Sequence, residues 1–145
     1  MKRAITTRII INNSVESIWQ ILMDYKSYSE WSPTIKPLSV FPEVGNNVKV
    51  LLTQPNGFQI TMNPKILRKE SNRELRWKGK LFVKGLFDGE HYFILNRIDA
   101  NTTEFIQGEV FSGLLIPFLK RMIDKDTLAG FEMFNQALKI RCENT

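Results

Sequence analysis

The N-terminal part of the chain changes from the pattern of a strand to that of two helices. Residues 3–11 end in three consecutive isoleucines and meet two asparagines, which predicts a strand that stops at Asn12. Ser14 suits a helix N-cap. Apolar residues then recur at the spacing of a helix with one buried face, at Val15, Ile18, Trp19 and Leu22. A second short helix is predicted to end before Pro33, because the residue before a proline disfavours helical geometry.

From Ile35 to Phe111 the apolar residues recur at every second position between short turn signals. The clearest alternation places Leu75, Trp77, Gly79 and Leu81 on one face of a strand and Arg76, Lys78 and Lys80 on the other. Turns are indicated by clusters such as Pro55-Asn56-Gly57, Lys84-Gly85 and Asp99-Ala100-Asn101. This spacing is typical of an antiparallel sheet, and the region predicts about six strands.

A long helix is predicted from about residues 114–117 to about residue 141. Pro117 suits its first turn, where the missing amide hydrogen does least harm. At about 100° per residue, one stripe collects large apolar side chains, namely Leu115, Leu119, Met122, Ile123, Met133, Phe134, Ala137 and Ile140. Asp126 falls on the same stripe. This indicates either a polar group that faces the interior or a bend within the polar run 124–127.

This order of elements predicts an α+β helix-grip domain over residues 1–145. A twisted antiparallel sheet curls, and a long helix laid in its concave side buries its apolar stripe there. Such surfaces often close incompletely. We therefore expect a curved sheet of about seven strands around the C-terminal helix, with an apolar hollow of ~300–1,000 Å³ between them.

Several segments resemble, in their order along the chain, those of a known superfamily. They are Ile11 to Trp19, Asp24 to Pro33, Glu74 to Gly79, Gly89 to Phe93, Thr103, Glu109 to Gly113, and Gly130-Phe131 with Asn135 and Leu138. On these residues the chain resembles the helix-grip superfamily, also called START-like or SRPBCC, and within it the polyketide cyclase/dehydrase-like branch. The resemblance implies the fold above. It does not select one activity, because this fold serves ligand carriers, cyclases, quinone-binding proteins and chaperone activators.

Composition narrows the class of protein. The chain has 43% hydrophobic and 24% charged residues and a net charge of +5, values of a folded domain rather than a disordered chain. Its densest apolar run, Leu114 to Leu119, is far shorter than the about 20 residues of a membrane span. Cys142 is the only cysteine, so an internal disulfide bond is excluded. Arg8 interrupts any export signal, and we expect a cytoplasmic location.

The positive charge is concentrated between Lys65 and Lys84, where eight basic residues accompany two acidic ones. This stretch predicts either a solvated outer face of the sheet or a docking surface for an acidic partner or a membrane. Trp77 lies on the opposite face, so the stretch lacks the aromatic platform of proteins that bind single-stranded nucleic acid. We expect no nucleic-acid partner.

His91 is the only histidine and the first candidate for chemistry. If Asp99-Ala100-Asn101 forms the tip of a hairpin, paired residue numbers sum to about 200, which places His91 opposite Glu109. Alternation then puts six side chains on one face: His91, Phe93, Leu95, Phe105, Gln107 and Glu109. A buried pair of this kind is expected to favour imidazolium and carboxylate over the neutral forms. His91 and Glu109 are therefore catalytic candidates, although such a pair equally serves to fix strand register.

The leading hypothesis is a protein that binds a small hydrophobic ligand, such as a lipid, a quinone or an aromatic polyketide-like molecule, between helix and sheet. The candidate ligand-binding residues are Trp77, Gly79, His91, Phe93, Leu95, Phe105, Gln107, Glu109, Phe111, Leu119, Met122 and Phe134. Core packing is the alternative for the helical residues, and a bend in the sheet is the alternative for Gly79.

Two other functions stay open at this point. One is a cyclase or dehydratase-like enzyme that uses His91 as a general acid or base. The other is an interaction module that docks an acidic partner or a membrane through the basic 65–84 face. The sequence has no nucleophile elbow, no glycine loop that cradles phosphates and no metal-binding box, so we expect no cofactor and no metal.

Overall fold

The computed structural model describes residues 1–81 and 83–145. In its N-terminal part, strand β1 spans Lys2–Ile11, helix α1 spans Val15–Met23, a 3-10 turn spans Tyr25–Ser27 and helix α2 spans Tyr28–Trp31. The Ser14 Oγ accepts a hydrogen bond of 3.1 Å from the Ser17 amide and so caps α1. The predicted strand, both helices and the cap are confirmed.

The middle of the chain forms antiparallel strands, as predicted. They are β2 (Ile35–Pro37), β3 (Val50–Thr53), β4 (Gln59–Met62), β5 (Lys65–Glu70), β6 (Glu74–Leu81), β7 (Phe87–Asp99) and β8 (Thr102–Ser112). One sheet has the order β1-β8-β7-β6-β5, and a smaller sheet has the order β2-β3-β4. The described residues thus contain eight strands, where the sequence predicted about seven, and the strands lie in two sheets.

The boundary between the two sheets falls at Pro64, between β4 and β5. Proline has no amide hydrogen to donate to a strand ladder, which interrupts regular pairing at this position. The segment before β3 closes the gap instead: the Val48 amide donates to the Pro64 carbonyl at 2.9 Å, and the Ile66 amide donates to the Asn46 carbonyl at 2.9 Å. Backbone hydrogen bonds therefore join the smaller sheet to the larger one at this boundary.

The C-terminal helix has an irregular centre. It consists of α3 (Ile116–Met122), a π-helical turn (Ile123–Thr127) and α4 (Leu128–Glu143). The expected position of Pro117 in the first turn is confirmed. The α+β class, with antiparallel sheets packed against a long C-terminal helix, is also confirmed.

The π turn shifts the buried face of α4. A π turn contains one residue more than an α turn. Buried positions that are predicted at α-helical spacing are therefore displaced by one residue after the π turn. Met133 and Ile140, predicted on the buried stripe, are exposed. The buried residues of α4 are instead Gly130, Phe131, Phe134, Asn135, Leu138 and Cys142. The predicted stripe is correct before the π turn and wrong after it at these two positions.

The apolar interior has two parts. A larger cluster packs α1, α2 and α4 against the sheets, and includes Phe93, Phe105 and Phe134. A smaller cluster lies around the start of the C-terminal helix and includes Phe111 and Phe131. Among the helices of the described residues, none is both long enough and apolar enough to cross a bilayer.

Candidate functional site

A cavity of about 310 Å³ lies between the C-terminal helix and the two sheets. Its walls include residues of both apolar clusters, such as Trp77 and Phe131, so the cavity marks the place where the two clusters do not meet. The β3–β4 hairpin forms another part of the wall, where Phe58 lines the cavity and is also exposed to solvent. This hairpin therefore borders the opening.

Seven of the twelve candidate ligand-binding residues line this cavity: Trp77, Gly79, His91, Glu109, Phe111, Leu119 and Met122. They come from β6, β7, β8 and α3, four elements that the sequence separates and the fold brings together. A β carbon at position 79 would lie 3.0 Å from the Met62 side chain. Part of the space that Gly79 leaves is thus occupied by the protein itself.

The other five candidates, Phe93, Leu95, Phe105, Gln107 and Phe134, are buried outside the cavity wall. Phe93 stacks on Phe134 with ring centroids 5.2 Å apart, and Phe105 packs on Phe93 at 5.5 Å. At this end of the sheet α4 approaches closely enough to fill the space. The sequence correctly predicted which sheet residues point inward. It did not predict at which end of the sheet α4 packs against them.

Sequence reasoning missed the contribution of the β3–β4 hairpin. Gln54, Pro55, Phe58, Ile60 and Met62 all line the cavity. The turn signal at Pro55-Asn56-Gly57 identified the hairpin, but nothing in the local pattern indicated that it packs against the middle of the C-terminal helix. The Gln54 Nε2 donates a hydrogen bond of 3.3 Å to the Thr127 Oγ1, which joins the hairpin to the π turn.

The π turn places polar groups at the cavity. Asp126 and Thr127 both line it, although they belong to the polar run that indicated either an inward polar group or a bend. The helix is irregular at this run, and Asp126 also faces the interior. Both alternatives therefore hold, because the irregular turn brings part of the polar run to the cavity. Such turns often occur at functional sites.

The His91 side chain is held in a fixed orientation by its neighbours. Its ring stacks on Trp77 with centroids 4.6 Å apart and meets the edges of Phe93 and Phe131. The predicted register is confirmed, because His91 pairs with Glu109 across β7 and β8. However, the hydrogen-bond partner of His91 is Gln107, with Nε2 and Oε1 2.9 Å apart, and none joins His91 to Glu109.

A chain of buried polar groups continues from His91 to β1. The Gln107 Nε2 donates to the Asn135 Oδ1 at 2.8 Å and to the Phe131 carbonyl at 3.3 Å. The Asn135 Nδ2 donates to the Thr7 Oγ1 at 2.7 Å, and that hydroxyl donates to the Gln107 carbonyl at 2.8 Å. Every member of this network is buried. It connects β1, β7, β8 and α4.

The network decides which nitrogen of His91 carries the proton. A backbone carbonyl only accepts, so the Gln107 amide nitrogen must face Phe131 and its oxygen must face His91. The His91 Nε2 is therefore the donor. In the neutral ring the Nδ1 is then an unprotonated acceptor, and this atom is buried without a hydrogen-bond partner.

Burial is the main reason that the pKa of His91 falls from 6.5 to about 4. The hydrogen bond to Gln107 acts to raise this pKa, and the positive charge of Arg76 acts to lower it further. Burial likewise raises the pKa of Glu109 from 4.5 to about 8. Near neutral pH, both groups are uncharged. The expectation of imidazolium and carboxylate is wrong, because without a direct bond between them the loss of hydration dominates for both.

Glu109 occupies a space that depends on a glycine. Gly89 lies on the neighbouring strand β7, and a β carbon there would lie 2.0 Å from the Glu109 Oε2. The carboxyl group thus lies against the bare backbone of Gly89 and lines the cavity. With the neutral ring of His91 and the protonated carboxyl group of Glu109, one side of the cavity carries two uncharged polar side chains.

The charged groups of the cavity wall are few. None of its residues in the described part of the chain is a lysine or an arginine, and its carboxyl groups are those of Glu109 and Asp126. Within those same residues, no group of three or more His, Cys, Asp or Glu side chains could hold a metal ion.

The basic 65–84 stretch is partly neutralised. Arg76 forms ion pairs with Glu74 at 2.7 Å and Glu90 at 2.9 Å, and its guanidinium lies 4.6 Å from the centre of the Tyr92 ring. Longer ion pairs engage three more of the eight basic residues, Arg68, Lys69 and Arg73. Much of this stretch is therefore an outer face stabilised by its own carboxylates. Its role as a docking surface stays a prediction.

Residues 2–143 match the protein family described as polyketide cyclase / dehydrase and lipid transport. The chain belongs to this family. The resemblance drawn from the sequence motifs is thereby confirmed. The description of this family names polyketide cyclases, dehydrases and lipid transport.

Solved structures share the fold at low sequence identity. The Zhui aromatase/cyclase from Streptomyces sp. R1128 is 13% identical, with a TM-score of 0.77 over 99% of this chain and 94% of that one. A START superfamily protein from Mycobacterium smegmatis is 17% identical, with a TM-score of 0.73 and 97% of each chain covered. Protein CV1439 from Chromobacterium violaceum is 16% identical, with a TM-score of 0.72 over 97% of this chain and 96% of that one. No curated protein matches the sequence.

Proposed function

We propose that the protein binds a small, mainly apolar and uncharged molecule in the cavity beneath its C-terminal helix. The observation that supports this most directly is the cavity of about 310 Å³, whose walls are mainly apolar. The polar wall residues are His91, Glu109, the π-turn residues Asp126 and Thr127, and Thr34, Thr53 and Gln54. Burial of ligand carbon contributes about 25 cal/mol per Å² of apolar surface before ordering costs. The few polar groups then set the orientation of the ligand.

The charges of the wall define the class of ligand. A carboxylate or phosphate inside this cavity would have no lysine or arginine partner among the described wall residues. An unpaired buried anion is strongly disfavoured. A hydroxyl or carbonyl group meets the protonated Glu109 without this cost. We therefore favour phenols, quinones and neutral polyketide-like rings over fatty acids.

The size of the cavity also favours a compact ring system over a fatty acid. About 310 Å³ lies at the lower end of the ~300–1,000 Å³ that small-molecule sites usually provide. A compact ring system suits this volume better than a long acyl chain does.

A ligand panel in matched pairs tests the proposal. Each pair consists of an aromatic alcohol or quinone and the carboxylate of the same ring skeleton. Binding is followed by thermal shift and by tryptophan fluorescence, to which Trp77 in the cavity wall contributes. We expect the neutral member to raise the melting temperature and the carboxylate not to. Equal binding of both members, or preference for the carboxylate, would refute the proposed ligand class.

Variants locate the binding site. Leu119→Trp fills the cavity from α3, and Leu38→Trp adds the same side chain at an exposed position outside it. Ligand binding should be lost in the first variant and kept in the second. Unchanged binding by Leu119→Trp would show that the ligand lies elsewhere.

An enzymatic function is the second candidate, supported by the presence of both His91 and Glu109 in the cavity wall. In a dehydration, the His91 Nδ1 would take a proton from carbon, and the Glu109 carboxyl would protonate the departing hydroxyl group as water. His91→Gln should then abolish turnover and leave binding nearly intact. Unchanged turnover in this variant would exclude the role.

A further inference from the structure

Large apolar side chains are exposed at one end of the molecule. Phe118, Leu114 and Val83 are 82%, 77% and 63% exposed, and they are three of the five most exposed large apolar side chains in the described residues. Val83 precedes β7, Leu114 lies two residues before the C-terminal helix, and Phe118 lies in the first turn of that helix. We call these three residues the tip patch.

The tip patch stands on an ordered framework. The Leu114 amide donates to the Gly85 carbonyl at 3.0 Å, and the Leu86 amide donates to the Val83 carbonyl at 3.3 Å. Gly113 has a φ of 124°, and a β carbon there would lie 2.4 Å from the Leu86 carbonyl oxygen. Only glycine allows this close approach. The turn before β7 and the start of the helix are therefore joined through their backbones, and their apolar side chains are displayed outward.

The patch borders the cavity. In α3, Leu119 and Met122 line the cavity, and at about 100° per residue they lie about 100° and 40° around the helix from Phe118. Arg121 lies about 60° from Phe118 on the other side. Leu81, two residues before Val83, also lines the cavity. Phe118 thus stands between the cavity wall and a cationic side chain.

Two exposed cations flank the patch. Lys84 follows Val83, and Arg121 lies beside Phe118 on α3. Within the described part of the chain, no carboxylate forms an ion pair with either of them. The neighbouring Asp124 is paired with Arg3, and Asp88 is buried and accepts from the Gly85 amide.

We propose that the tip patch docks on the surface of an anionic lipid bilayer. Val83, Leu114 and Phe118 would enter the boundary between headgroups and acyl chains, while Lys84 and Arg121 would face lipid phosphates. A second copy of the chain fits less well, because it would bring like charges together. The proposal does not depend on the identity or existence of a cavity ligand.

Co-sedimentation with vesicles tests this directly. The full chain is mixed with phosphatidylcholine vesicles, or with vesicles that also contain phosphatidylglycerol, at low and raised salt. We expect binding to the anionic vesicles only, and weaker binding as salt rises. No binding to either vesicle, or equal binding to both, would overturn the proposal.

Two sets of variants separate the apolar and the electrostatic contributions. Phe118→Ser should weaken binding about tenfold to a hundredfold, the range for burial of a phenylalanine side chain. Lys84→Gln combined with Arg121→Gln should weaken it about 25-fold, or about fivefold per charge. All variants must keep the melting temperature of the wild type, which shows that they fold.

The matched controls lie away from the patch. Ile98→Ser changes an exposed apolar residue about 36 Å along β7 from Phe87, and Lys26→Gln with Lys49→Gln removes two exposed cations elsewhere. These controls should bind as the wild type does. If Phe118→Ser also binds as the wild type does, adsorption is purely electrostatic and insertion is refuted. If the wild type dimerises and Phe118→Ser is monomeric, the patch is an interface between copies, which refutes membrane docking.

Discussion

Gly89 makes room for the Glu109 carboxyl group: a β carbon at position 89 would lie 2.0 Å from the Glu109 Oε2. The two residues lie on adjacent strands, β7 and β8, on the face that looks towards the C-terminal helix. The position of the acid in the cavity therefore depends on the absence of a side chain next to it. This relationship leads to the first prediction.

Gly89→Ala should displace the Glu109 carboxyl group and destabilise the fold by about 1 kcal/mol, the lower end of the cost of overpacking, because the atom in the way ends a flexible side chain beside a cavity. Gly130→Ala is the control, because its β carbon would lie 3.5 Å from Pro55, an ordinary contact. That variant should be as stable as the wild type or up to about 1 kcal/mol more stable, since alanine favours helix over glycine. Urea denaturation of both proteins measures the difference. Equal stability of the two variants would contradict the close contact at Gly89.

Glu109→Gln should change the pH dependence of stability on the alkaline side. Between pH 4.5 and about 8 the folded protein keeps a proton on Glu109 that the unfolded chain has lost, because burial raises the pKa of this group. The wild type therefore loses stability relative to the variant as the pH rises through this range. Denaturation curves from pH 4 to pH 9 test the sign. A difference that grows in favour of the wild type would mean that Glu109 is ionised in the fold.

His91→Phe should have the opposite pH signature. Between pH about 4 and 6.5 the unfolded chain binds a proton on His91 that the folded protein does not, because burial lowers the pKa of this ring. The wild type should therefore lose stability relative to the variant as the pH falls from 6.5 to 4. An NMR titration of the ring resonances gives an independent reading. A midpoint near 6.5 would contradict a buried, neutral ring.

Gln107→Leu should destabilise the fold by about 2–4 kcal/mol, because it leaves donors or acceptors of His91, Asn135 and Phe131 buried without partners. Gln136→Leu changes an exposed glutamine one position along the same helix as Asn135 and should stay within about 0.5 kcal/mol of the wild type. Chemical denaturation compares the two. A small effect of Gln107→Leu would show that the network contributes little.

Deletion of Lys125 should leave a folded protein. The residue is exposed within the π turn, and its removal restores α-helical spacing without changing the phase of α4. Deletion of the exposed Glu132 is the control, because it rotates Phe134, Asn135 and Leu138 by about 100° away from the core. Circular dichroism during heating should show cooperative unfolding only for the first deletion. If both variants were unfolded, the π turn would not contain a single extra residue that can be removed without rotating α4.

The sequence predicted much of the local structure. The Ser14 cap and the strand alternation depend on a few neighbouring residues. The pairing of His91 with Glu109 follows from one hairpin tip. Such features are decided over short chain distances, where turn chemistry and side-chain periodicity act alone.

The errors arose where distant segments meet. Phe93 and Phe134 were expected at the ligand site and instead fill the core, because α4 packs closely at that end. Met133 was expected to be buried and is exposed, because one extra residue in the π turn shifts the helical phase. The β3–β4 hairpin completes the cavity, and its position depends on contacts with the π turn.

By itself, the sequence determined the order of the elements, the inward face of the sheet and the register that sets His91 across from Glu109. Only the tertiary structure decided that His91 bonds to Gln107, and that His91 and Glu109 are both neutral near pH 7. The physical reason is that alternation and turns act through the covalent chain. Hydrogen-bond choice and desolvation depend on which groups from β1, β8 and α4 surround a side chain after folding.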